Sequence, residues 1–92
     1  MNSHTTKSFR DALKRLSAEA RKQAREAYVQ FQVDPFSPGL NFEEVNSQKH
    51  IWSARITRGI RALGIRARGI RDRDEITWYW IGTHREYEKR MK

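Results

Sequence analysis

The sequence predicts an α+β fold in which two N-terminal helices and a C-terminal helix pack on one face of a small antiparallel sheet. Three observations carry that expectation. In the first third of the chain apolar residues recur three and four apart, at Phe9, Ala12, Leu13 and Leu16 and again at Ala20, Ala24, Ala27, Tyr28 and Phe31, a spacing that gathers them on one side of a helix. From Leu40 the period changes to two, most clearly in Ile51–Thr57, where Trp52, Ala54 and Ile56 fall on one side and Ser53 and Arg55 on the other. Thr83-His84-Arg85-Glu86 then has the form of a capping box, in which a hydroxyl and a carboxylate each satisfy a backbone N–H at a helix start. Helices grouped before and after a run of strands give an α+β order rather than an alternating one.

Residues 1–5 are short and polar and are expected to fray. A first helix runs from Thr6 to near Leu16. Ser17 reads as the N-cap of a second, with Glu19 in its first turn complementing the helix dipole. This helix extends to about Gln32, and its alanines imply a close approach to whatever it covers. Asp34-Pro35-Phe36-Ser37-Pro38-Gly39 ends it, because each residue before a proline is pushed out of the helical region. Residues 40–45 read as a first strand and residues 46–49 as a turn. Ile51–Thr57 and residues 60–67 form a hairpin about Arg58-Gly59. A charged loop over residues 67–74 leads into a last strand from near Glu75 to Gly82, with Trp78 and Trp80 expected on one face and Thr77, Tyr79 and Ile81 on the other. A strand apolar on both faces is covered on both, so this one is expected inside the sheet. Gly-Ile-Arg recurs at 59–61, 64–66 and 69–71, a period too short for a repeat architecture, but it sets arginines along one ribbon.

Ninety-two residues suffice for one domain spanning 1–92, and a chain of this size buries only about two thirds of its unfolded surface. No stretch approaches the roughly 20 apolar residues that span a bilayer, and the N-terminus shows no secretory pattern; no membrane association is expected. With no cysteine there is no disulfide or thiolate chemistry, which fits the cytoplasm. Three scattered histidines give no metal-ligand spacing, and no glycine-rich phosphate loop precedes a helix, so no cofactor is expected. The formal net charge of +8 is lopsided: residues 1–46 hold 7 basic against 6 acidic side chains, residues 47–92 hold 12 against 5. A basic half of this kind favours nucleic acid or an acidic protein as partner, with a merely solvated basic surface as the bland alternative.

The helical hairpin, the loop Asp34-Pro35-Phe36-Ser37-Pro38-Gly39-Leu40, then Ile51-Trp52-Ser53-Ala54-Arg55-Ile56, Ile60-Arg61-Ala62-Leu63-Gly64 and Trp78-Tyr79-Trp80-Ile81-Gly82-Thr83-His84-Arg85-Glu86-Tyr87 together resemble the RelE/ParE superfamily of bacterial type II toxins. The resemblance covers most of the chain and implies the same compact fold. Residues 1–5 depart from it, since many members open with a β-strand. It also implies a cognate antitoxin as partner and one of two targets. RelE-type members are ribosome-dependent endoribonucleases that cut mRNA in the decoding site; ParE-type members inhibit DNA gyrase without being nucleases. A degenerate member that has lost toxicity is a third outcome.

Cleavage of RNA by its own 2′-hydroxyl needs a base for that proton, an acid for the leaving 5′-oxygen and positive charge at the phosphate. Carried onto this sequence, the RelE pattern places Arg55 on the first hairpin strand, Arg61 on the second and His84 at the last helix as catalytic residues, with Tyr87 one turn on. Arginine stays protonated and serves the phosphate; an imidazole, which ordinarily titrates near neutrality, suits proton transfer. Arg58, Arg66 and Arg85 are the expected substrate-binding residues. Ser53 stands where members often carry lysine, the loss of one cation. Read from the residues alone, Arg61 shares a strand side with Leu63 and Ile65 and fits an ion pair at the core edge equally well, His84 and Tyr87 fit helix-start packing, and the three tryptophans read as packing.

Overall fold

The protein is described by a computed structural model covering residues 1–68 and 73–91. In chain order the elements are β1 (Asn2–Thr5), α1 (Lys7–Lys14), α2 (Ala18–Val33), a 3-10 turn (Pro38–Leu40), β2 (Glu43–Asn46), β3 (Ile51–Thr57), β4 (Ile60–Arg68), β5 (Asp74–Thr83) and α3 (His84–Arg90). The expected loop between the last two strands and the third Gly-Ile-Arg lie largely outside the described residues. The strands form a single five-stranded sheet in the order β1-β5-β4-β3-β2. It is antiparallel except at β1, which runs parallel to β5.

The helices begin where the sequence places them. The Thr6 hydroxyl accepts from the Phe9 N–H at 3.1 Å and that of Ser17 from the Ala20 N–H at 3.1 Å, each relieving one of the unpaired donors of a first turn. α1 lies against β5 and α2 against β3. Ala24, Ala27 and Phe31 of α2 meet Ala54, Ala62, Ile76, Trp78 and Ile81 of the sheet and Leu40 and Phe42 from the loop. Small side chains on α2 and on the strands facing it let the backbones approach, and the aromatic residues fill what remains. Phe31 packs edge-on against Phe42, at 5.1 Å and 85°, and against Trp78, at 5.4 Å and 76°, orientations that set ring edges against ring faces.

The N-terminus corrects the expectation of fraying. Residues 2–5 pair in register with Glu75 to Trp78. The Thr6 N–H donates to the Trp78 carbonyl and the Trp78 indole N–H to the Ser3 hydroxyl, both at 3.0 Å. This is an edge strand with mostly exposed side chains, stabilised by ladder hydrogen bonds rather than burial, and so it leaves no apolar alternation to read. The sheet accordingly has five strands rather than four, with β5 internal as expected. The first expected strand, residues 40–45, begins instead at Glu43: Asn41 is left-handed at φ 44°, and Leu40 is buried from the preceding turn rather than from a strand.

A second correction concerns β5. Leu63 pairs with Trp80 but Gly64 pairs with Trp78, so Tyr79 is an extra residue, a β-bulge that reverses the alternation. Ile76, Trp78 and Ile81 therefore share the α1/α2 face, and Trp80 turns to the other. The Tyr79 carbonyl, displaced by the bulge, accepts from the Ser8 hydroxyl of α1 at 2.9 Å. Glycines accommodate both indoles. A Cβ on Gly64 would stand 2.9 Å from Trp78 Cε3, and one on Gly82 would stand 2.5 Å from Trp80 Cζ2, distances at which side chain or strand must shift.

The helices also do not share one face. α1 and α2 cover one side of the sheet, whereas α3 lies over a corner of the other, where Arg90 sits 5.2 Å above the Trp80 ring. Among the described residues no helix is long and apolar enough to cross a membrane.

Candidate functional site

The corner beneath α3 gathers four of the expected residues. Arg55 and Arg61 are direct cross-strand partners in the β3–β4 hairpin, and Gly82 lies opposite Arg61 on β5, so these positions face the same side. At Gly82 the chain leaves the sheet. Thr83 caps α3, its hydroxyl accepting from the Glu86 N–H at 3.2 Å while Glu86 Oε1 accepts from the Thr83 N–H at 3.0 Å. These bonds to Thr83, the backbone N–H first and the hydroxyl next, hold the Glu86 carboxyl below the ordinary carboxylate range. The His84 N–H donates to the Gly59 carbonyl at 2.9 Å, which ties the start of α3 to the hairpin tip.

That attachment sets the side-chain geometry. The Arg61 guanidinium lies over the Tyr87 ring, 5.1 Å from its centroid, a cation–π distance. The other side of the group is the His84 ring, stacked 6.0 Å from Tyr87 with 29° between planes. His84 Nε2 lies 2.9 Å from Glu88 Oε1. A hydrogen on Nε2 satisfies that carboxylate and leaves the Nδ1 lone pair to take a proton. Arg61 Nη1 donates to the Ser53 hydroxyl at 3.1 Å. Among the described residues no carboxylate forms an ion pair with Arg61. Arg61 and Tyr87 are half-buried; His84 and Arg55 are exposed.

Arg58 at the hairpin tip and Arg85 in the first turn of α3 are exposed, and the bond from His84 to Gly59 puts both at this end of the sheet. Arg66 is elsewhere. It stands five residues after Arg61 on an uninterrupted strand, an odd interval that sends its side chain to the α1/α2 face. There its guanidinium covers the Trp52 ring at 4.5 Å and pairs with both Asp74 oxygens, at 3.0 and 2.6 Å. That double hydrogen bond makes the Arg66 cation still harder to deprotonate. The first two Gly-Ile-Arg tripeptides thus place Arg61 and Arg66 on opposite faces rather than along one basic ribbon.

Glu88 and Ser53 belong to the group although neither was among the expected site residues. Glu88 was legible as the i+4 neighbour of His84. Ser53 was not, since a strand serine reads as a surface residue, and only the register shows it 0% exposed beneath Arg61. An open apolar groove of about 550 Å³, lined by Phe9, Leu13, Ala27, Tyr28 and Trp78 among others, lies on the opposite face. Among the described residues no three potential metal ligands come together.

No family model matches the sequence, and no curated protein matches it. Solved structures do, and they define the fold as that of RelE/ParE toxins. The chain is similar to the YoeB/ParE toxin from Agrobacterium tumefaciens, with a TM-score of 0.66 and 19% identity over 91% of this chain and 99% of that one. It is also similar to a chain of the archaeal RelE–RelB complex from Pyrococcus horikoshii, with a TM-score of 0.66 and 13% identity over 89% and 92% of the two chains. A RelBE toxin–antitoxin complex from Mycobacterium tuberculosis gives a TM-score of 0.57 at 15% identity, over 90% and 96%.

Proposed function

We propose that the protein is the toxin of a type II toxin–antitoxin pair and acts as a RelE-type, ribosome-dependent mRNA endoribonuclease in the cytoplasm. The observation that carries this reading is the meeting of Arg61, Tyr87, His84 and Glu88 in one stacked group beside Arg55. The fold shared with toxins supports the class. In the reaction, Arg61 and Arg55 grip the scissile phosphate and offset the charge that develops there. His84 Nδ1 takes the proton of the 2′-hydroxyl as its oxygen attacks phosphorus. The P–O2′ bond forms, the P–O5′ bond breaks, and the departing O5′ takes its proton from solvent water. Glu88 keeps the imidazole oriented and balances the imidazolium that forms. Tyr87 supports both charged groups and offers an aromatic surface for a base of the message; Arg58 and Arg85 extend the grip on the backbone.

The partner is a cognate antitoxin whose acidic, partly disordered segment orders over the basic face. Programmed ribosomes incubated with pure protein are expected to yield cut message, and none with His84→Ala. Intact message with the wild type, or full toxicity of His84→Ala, would remove the reading. One observation favours a second reading, a ParE-type gyrase inhibitor: the position where members often carry lysine holds the buried Ser53, and inhibition by docking needs no second cation. Inhibition of DNA supercoiling by purified gyrase at stoichiometric protein would support it, and supercoiling unaffected at large excess would dismiss it.

A further inference from the structure

Among the described residues Ser53 is the one buried polar side chain, 0% exposed, and its hydroxyl accepts from Arg61 Nη1 at 3.1 Å. It lies on β3 directly opposite Leu63, which is 1% exposed, and Leu63 in turn lies opposite Trp80. Of the three side chains in this row, Ser53, Leu63 and Trp80, only Ser53 offers an oxygen to the guanidinium above it. A guanidinium resting on such a row either finds that oxygen or swings to water.

We propose that Ser53 is a positioning residue for Arg61. Its hydroxyl takes one guanidinium N–H from below while the Tyr87 ring holds the plane from the side, and the N–H groups left over form a fork for two oxygens of a phosphodiester. Arginine carries five such donors in a fixed plane, so satisfying one does not remove the bidentate edge; it fixes where that edge points. The contrast with Arg66 supports the assignment. Arg66 is also fixed by an aromatic ring and an oxygen partner, but its partner is the Asp74 carboxylate, which neutralises it and occupies two donors. A neutral hydroxyl orients Arg61 without cancelling its charge. On this view serine at position 53 is a means of aiming the remaining cation rather than merely a missing one.

The phosphodiester as ligand rests on the nuclease reading, whereas the positioning of Arg61 does not, and the test separates them. Its first arm follows the Arg61 guanidinium nitrogens by NMR in the full chain. Restricted rotation is expected in the wild type, faster averaging in Ser53→Ala, and restriction recovered in Ser53→Thr, which keeps the oxygen. The second arm is message cleavage on programmed ribosomes. Ser53→Ala is expected to lose about tenfold, the size of one hydrogen bond to a charged group, with melting temperature little changed. In an Arg61→Ala background the same substitution is expected to cost nothing further, because its effect passes through Arg61. Unchanged Arg61 resonances in Ser53→Ala, or an equal loss of cleavage in both backgrounds, overturns the proposal. If the wild type cuts no message the nuclease reading falls, and the first arm alone decides whether Ser53 positions Arg61.

Discussion

Arg61 and Arg66 sit five residues apart on one strand, and the two faces of the sheet treat them differently. On the α1/α2 side Arg66 is enclosed by Phe36, Phe42 and Trp52 and neutralised by a double hydrogen bond to Asp74. On the α3 side Arg61 rests on Tyr87, bonds to a hydroxyl and meets no carboxylate among the described residues. A charge at the rim of a core costs desolvation unless it is paired, so the first arrangement is what stability asks for. The second keeps a half-buried cation available, which an external anion can repay. On the proposed reading the α1/α2 face holds the fold together and the α3 face carries the chemistry.

The division can be broken most sharply from the core side. Trp78→Ala removes the ring that Phe31 and Phe42 pack against, and it is expected to cost about 3–5 kcal/mol in denaturant unfolding. On the other face, Arg61→Ala is expected to lower message cleavage about 10²–10³-fold, the usual cost of removing one stabilising donor at a developing charge, with thermal unfolding nearly unmoved. Arg66→Ala should do the reverse: about 1 kcal/mol of stability lost, given that the pair is partly exposed, and cleavage per folded molecule unchanged. The smallest effect concerns the cap that aims α3. The folded-state Glu86 carboxyl titrates below its unfolded value because Thr83 hydrogen-bonds the charged form. Its contribution is therefore present above the unfolded value and lost as pH falls through the lowered folded one. Melting temperatures between about pH 3 and pH 6 should show this acid-side loss in the wild type and less of it in Glu86→Gln.

Much of the fold was legible in the residues; the division between its two faces was not. Helix starts at Thr6 and Ser17, the capping box at Thr83 and the alternation in β3 each rest on a local rule, and local rules need only neighbours in sequence. The grouping of Arg55, Arg61 and His84 came from the resemblance to the RelE pattern rather than from a local rule, and the register and the bond from His84 to Gly59 set these positions at one corner. What escaped depends on partners far along the chain. β1 is polar and takes its place through backbone bonds to β5. The bulge at Tyr79 is invisible without knowing what β4 offers opposite, including the glycine that makes room for Trp78. Arg66 was grouped with Arg61 through a shared tripeptide, although the odd interval already argued against it. Ser53 became informative only once register put it under a guanidinium.

The most direct measurement is a ribosome-dependent cleavage assay run side by side on wild type, Arg61→Ala and Arg66→Ala, each at equal folded concentration. Cut message from wild type and from Arg66→Ala, and about 10²–10³-fold less from Arg61→Ala, is the pattern the two-faced sheet requires. Equal cleavage by both variants, or equal loss in both, would contradict the assignment of chemistry to the α3 face.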